Sequence, residues 1–238
     1  MQNTFLQAEW RKLILANYEI DPAILVKYLP AGTELDFWKG TCFVSLVGFM
    51  FQDTKLKGLP IPFHTDFEEV NLRFYVKRLE NGIYKRGVVF IKEIVPKPAL
   101  SLVANVIYGE PYVTARMKHS WVHKEVALEV EYQWKKNVWH SLKVAAASNC
   151  IPITEYSEAE FITEHYWGYT KRTQKKTSVY EVTHPRWDMY PVSDYSIQVD
   201  FQLNYGADFG FLSTATPTSV FLAEGSPIIV KVGSVLNL

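Results

Sequence analysis

Apolar residues recur along this chain in two ways, as alternation of period two and as short unbroken runs, and both patterns specify strands. From Thr41 to Phe51 the run is almost continuously apolar and rich in Phe and Val, which predicts a central strand buried on both faces. Glu68 to Leu79 and Ile83 to Ile94 flank Asn81-Gly82, a pair suited to the positive φ angles of a type I′ turn, so they form a hairpin. Tyr112 to Trp121, Lys124 to Trp134 and Val138 to Ala147 read as successive strands, the last two joined at Lys136-Asn137. Thr177 to Val182, Ser196 to Phe211 and Ile228 to Val232 supply the remaining strands.

Three stretches break this pattern with helical signals. Asp21 can cap a helix whose first position is Pro22, and Pro30 and Gly32 end it. Pro98 to Tyr108 carries Leu100, Val103, Ala104 and Ile107 on one helical face, with Gly109 at the place of a left-handed cap. Ser157 and Glu160 form a capping box that opens a helix running through His165. No linker or repeat interrupts residues 1–238. The expectation is one domain, mostly antiparallel β, with three short helices.

Composition narrows the function classes. Hydrophobic residues make up 48%, which excludes wholesale disorder, and the 15% of aromatic residues suits pleated surfaces. Lys plus Arg and Asp plus Glu are both 25, so no net positive field draws in nucleic acid. Cys42 and Cys150 are too few for a disulfide framework and are expected to be reduced, buried and inert. Met1 to Glu9 lacks a signal-peptide pattern, and the longest apolar run is too short for a membrane helix, so a cytoplasmic protein without a membrane partner is expected. Neutral net charge permits a homo-oligomer without requiring one.

The chemistry-bearing residues are sparse. No nucleophile elbow, phosphate loop or dinucleotide fingerprint is present, so no cofactor is expected. His119 and His123 sit at a strand end rather than on a helix, which argues against a metal there. His64, Asp66 and Glu68 alternate and would share one side of an extended segment, as a polar outer face or as an acid/base cluster. Glu69 points the other way. Residue chemistry alone names no reaction.

Several segments, in order, carry a resemblance: Trp10-Arg11, Tyr28-Leu29-Pro30, Val44-Ser45-Leu46-Val47-Gly48-Phe49, Ile61-Pro62-Phe63-His64, Phe67-Glu68-Glu69-Val70-Asn71-Leu72-Arg73 and Tyr112-Val113-Thr114-Ala115-Arg116-Met117. They resemble the YqjF-like family, a domain of unknown function. That family is similar to acetoacetate decarboxylase, which implies a cone or barrel of mostly antiparallel strands around an internal pocket. In that enzyme a lysine forms a Schiff base with a β-keto acid and an arginine holds the substrate carboxylate. By chain order Arg11 matches the arginine and Glu69 a pocket glutamate. The lysine pair falls at Arg116-Met117, with Lys118 one step beyond. Arginine stays protonated and cannot form the imine.

The resemblance therefore implies a pocket without its Schiff-base lysine, with Arg11 and Arg116 directed at an anionic or carbonyl-bearing small molecule and with Glu69 and His64 as hydrogen-bond or acid/base partners. An ion pair fastening the first strand is the competing role for Arg11. Two alternatives remain open: an interaction module with a vestigial pocket, and a decarboxylase-like lyase using a displaced lysine at Lys92, Lys97 or Lys118.

Overall fold

A computed structural model describes residues 4–107 and 109–238. The principal strands in chain order are β1 (Thr4–Glu19), β2 (Phe43–Leu56), β3 (Phe67–Glu80), β4 (Ile83–Val95), β5 (Tyr112–Thr114), β6 (Arg116–His123), β7 (Ala127–Lys136), β8 (Val138–Ala147), β9 (Trp167–Lys171), β10 (Lys176–Thr183), β11 (Val192–Gln198) and β12 (Ser219–Lys231). Four α-helices accompany them: α1 (Pro22–Leu25), α2 (Pro98–Ile107), α3 (Glu158–Thr163) and α4 (Phe201–Tyr205).

The large sheet closes on itself. β12 pairs with β1, β1 with β2, β2 with β3, and β3 with β4, all antiparallel. β9 then adds parallel to β4, β10 pairs with β9, and a short pairing of Val182 and Thr183 with Val230 and Ile229 returns to β12. A closed ring leaves no open edge and creates an interior whose lining is every second residue of each strand. A second sheet, in the order β11-β8-β7-β6, covers part of the outer face. It comes so close at Gly48 that an added Cβ would stand 2.9 Å from the Tyr132 ring.

Two apolar clusters follow from this layering. Val44, Leu46, Val70, Leu72 and Phe74 face the second sheet, where Val130, Tyr132, Trp134 and Leu142 are buried. Phe43, Val47, Phe49, Phe51, Phe67 and Tyr75 face inward. The central run expected at Thr41 to Phe51 is thus buried on both faces, as β2. Asn81 and Gly82, at φ of 51° and 80°, make the expected hairpin turn.

Some expectations required correction. Tyr112 to Trp121 divides at Ala115 into β5, parallel to β4 in the large sheet, and β6 in the small one. The strand expected from Ser196 to Phe211 stops at Gln198, because the Asp200 side chain accepts from the Leu203 amide and caps α4, which ends at Gly206. Cys42 is buried, and burial pushes its thiol up to about 11, whereas Cys150 is exposed. The expected helix end at Tyr108, the side chains of Ala104 and Ile107, and Met1 to Asn3 lie outside the described residues. Among the described residues, no helix is long and apolar enough to cross a membrane.

Candidate functional site

Strand alternation on β3 builds the wall of an interior cavity. Phe67, Glu69, Asn71 and Arg73 stand at every second position and all line it. Two bulges complete the wall by reversing the alternation of neighbouring strands. On β4, Leu72 is opposite Lys92 but Arg73 is opposite Phe90, so one extra residue is inserted. Phe90 and Glu93 therefore both face inward, while Lys92 turns outward to donate to the Asn204 carbonyl. On β1, Arg11 to Ile14 spans only Met50 to Gly48, with Lys12 at φ 54°, and this brings both Trp10 and Leu13 to the cavity.

The cavity has a volume of about 200 Å³. α3 plugs one end, where Phe161 meets Phe43 and Tyr75 at ring-centroid distances of 6.3 and 5.6 Å. α2 and the segment around Ile61 flank the other end.

Three buried glutamates meet in the wall. Glu69 accepts from Asn71 Nδ2 at 2.9 Å and from the Tyr112 hydroxyl at 3.0 Å. Burial, with Glu110 nearby, nevertheless pushes its carboxyl up to about 7. Burial likewise pushes Glu110 up to about 7, although Thr170, Tyr180 and Arg172 favour its ionised form. Glu93 is raised well above the carboxylate range by burial and by the charges of Glu110 and Glu69. The cluster therefore retains protons near neutral pH, and Glu93 and Glu110 can share one.

Glycines make room for this arrangement. Gly109, at φ 69°, precedes Glu110, and a Cβ there would stand 2.6 Å from the Arg172 guanidinium. A Cβ on Gly168 would stand 2.2 Å from the Tyr180 ring, which lines the cavity beside Glu110.

His165 closes the deep end. Its Nε2 lies 3.4 Å from the Asp36 carboxylate, which also accepts from Arg86 Nε at 2.6 Å. Burial pushes the imidazole down to about 4, against the opposing pull of Asp36, so it is neutral near pH 7. Buried atoms of the lining that lack a hydrogen-bond partner among the described residues include Arg73 Nε, Asn71 Oδ1 and His165 Nδ1. Buried polar groups are ordinarily paired, so these atoms leave donor and acceptor capacity in the cavity wall.

Of the residues singled out from sequence, Glu69 and His64 line the cavity, His64 beside the open end with its Nδ1 at 2.8 Å from the Pro62 carbonyl. Arg11 and Arg116 are not part of the lining. Arg11 is on the opposite face from Trp10, paired with Glu9 at 2.6 Å and with Glu224 at 3.4 Å, the strand-fastening role. Arg116 is exposed on β6. Asp66 accepts from the Asp53 amide, and Glu68 meets His119 at 2.7 Å on the outside, so His64, Asp66 and Glu68 do not gather. Among the described residues no cluster of three or more His, Cys, Asp or Glu side chains is placed to hold a metal. Arg73, Glu93, Glu110 and His165 were missed. The alternation Glu69-Asn71-Arg73 was the one signal that could have found Arg73.

Residues 7–227 match the model of the DUF2071 family of uncharacterized conserved proteins. The chain belongs to that family. It is 27% identical over 182 residues to the uncharacterized protein YqjF of Bacillus subtilis (strain 168), covering 75% of this chain and 72% of that one. The enduracididine biosynthesis enzyme MppR, solved with HEPES buffer bound, is similar across 100% of this chain and 89% of its own at 14% identity and a TM-score of 0.70. A further MppR structure is a complex with pyruvate, with a TM-score of 0.63, 14% identity, and coverage of 99% and 89%. Acetoacetate decarboxylase from Legionella pneumophila is similar over 98% of this chain and 87% of its own, at 15% identity and a TM-score of 0.64. At these identities the likeness shows the fold, a mostly antiparallel, acetoacetate decarboxylase-like arrangement.

Proposed function

We propose that the interior cavity binds a small carbonyl-bearing molecule, such as a short oxo acid, with Arg73 as the donor to its carboxylate or carbonyl and the glutamate cluster as the acid/base group. The observation that carries this reading is the meeting of Arg73 and three buried glutamates, with unpartnered donor and acceptor atoms, in one cavity. An arginine fork suits a carboxylate, and a protonated Glu93 can donate to a carbonyl oxygen. Glu69, ionised in part near neutrality, can accept a proton from the carbon beside that carbonyl. His64 serves as a polar contact near the entrance.

No lysine is among the described residues of the lining, and Lys118 lies over the Trp139 ring on the outer sheet. The reading is therefore a pocket that handles carbonyl compounds without an imine. Pyruvate, which MppR holds, is a suitable first probe. Calorimetric titration should show pyruvate binding that weakens at least about tenfold in Arg73→Met, since hydrogen bonds to charged groups contribute about 1.5–3 kcal/mol. Unchanged affinity in a folded Arg73→Met protein would overturn the reading.

A further inference from the structure

The cavity is polarised along its length, and the strand register gives the order of its layers. At the deep level Asn71 is opposite both Val47 and Glu93, and Arg73 lies one step further in. One step outward Glu69 is opposite Phe49, and beyond it Phe67 is opposite Phe51, which is opposite Trp10. These rings form a continuous belt, with Phe51 stacked on Phe67 at 4.6 Å and edge-on to Trp10 at 5.9 Å. Outside the belt Leu6 is opposite Leu56.

The lining reaches solvent at Ile61 and at Val103 of α2, which are 37% and 39% exposed. Phe63, two residues from Ile61, is 89% exposed, so the rim carries exposed apolar side chains beside His64. A small polar oxo acid would fill only the deep end. A three-carbon acid would leave the aromatic belt uncovered.

We infer that the ligand of this site is an oxo acid or related carbonyl compound carrying an apolar chain, bound with its polar head at Arg73 and the glutamates and its chain running outward past Phe51 and Phe67 to the gap between Ile61 and Val103. This rests on the carbonyl-binding reading above and adds the chemical class and the orientation of the ligand. The ring belt supplies dispersion contacts to a chain, and each methylene removed from water contributes about 0.8 kcal/mol, close to fourfold in affinity.

The test is a calorimetric series of pyruvate, 2-oxohexanoate and 2-oxooctanoate on the full chain, with 1-octanol as a probe that has the chain and lacks the head. Affinity should rise by about fourfold per methylene until the chain reaches the rim, and 1-octanol should bind far more weakly than 2-oxooctanoate. Val103→Asp, on the exposed side of the entrance, should compress the difference between the longest and shortest acids. A flat series in which pyruvate still binds would overturn the chain inference while leaving the carbonyl site standing. 1-Octanol binding as tightly as 2-oxooctanoate would overturn the head-in orientation. Failure of every acid to bind would remove the carbonyl reading and this inference with it.

Discussion

At the scale of single residues, burial of the three glutamates makes stability depend on pH. A carboxyl whose folded pKa is raised binds its proton more tightly in the folded than in the unfolded chain. Its stabilising effect is full below the unfolded value of about 4.3 and is lost as pH rises through the folded value. Glu69 and Glu110, raised to about 7, and Glu93, also raised, should therefore lower stability progressively as pH rises above about 4.3. His165 acts in the opposite sense. With its pKa pushed down to about 4, it contributes stability that is full above about 6.5 and lost on acidification. Glu93→Gln keeps the shape and removes the titration, so its melting temperature should exceed that of the parent by a few degrees at pH 8. The difference should vanish near pH 4; differential scanning calorimetry at both values checks this. Borohydride reduction in the presence of acetoacetate should leave no adduct by mass spectrometry, because Lys92 faces away from the cavity. An adduct on Lys92, Lys97 or Lys118 would restore the imine chemistry.

At the scale of elements, legibility in the sequence tracked whether the signal was local. The Asn81-Gly82 hairpin and the Ser157 cap each depend on neighbouring residues, and both were readable. The inward stripe of β3 was readable as alternation. The bulges were not, since an extra residue shows itself only against the partner strand, and each reverses which residues face inward. Trp10 with Leu13, and Phe90 with Glu93, therefore break a simple period-two reading. Arg11 followed chain order along a resemblance, and the bulge beside it placed it outside. Gly168 belongs to this scale because its lack of a side chain lets β9 approach the Tyr180 ring. Gly168→Ala should cost about 1–3 kcal/mol in urea unfolding through this overpacking. It should also weaken pyruvate binding by displacing Tyr180 from the cavity wall.

At the scale of the whole molecule, the ring of strands does what no single element can: it removes three carboxylates and an arginine from water together. The fold class was legible because it follows from patterning and turns. Of the cavity lining, sequence reading reaches only Glu69 and His64, because the burial and mutual distance that raise Glu93 and Glu110 arise from segments far apart in the chain. A ligand carboxylate brought among these groups is repelled by each glutamate that ionises. Pyruvate should consequently bind more weakly at pH 8 than at pH 6, and by reciprocity its binding should raise the glutamate pKa values. Nuclear magnetic resonance of ¹³C-labelled side-chain carboxyls, titrated with and without pyruvate, measures this directly. The expected result is midpoints near 7 for Glu69 and Glu110, one raised above the ordinary carboxylate range for Glu93, and an upward shift of the cluster when pyruvate is present. Midpoints in the ordinary range of about 4 to 5, unmoved by pyruvate, would contradict it.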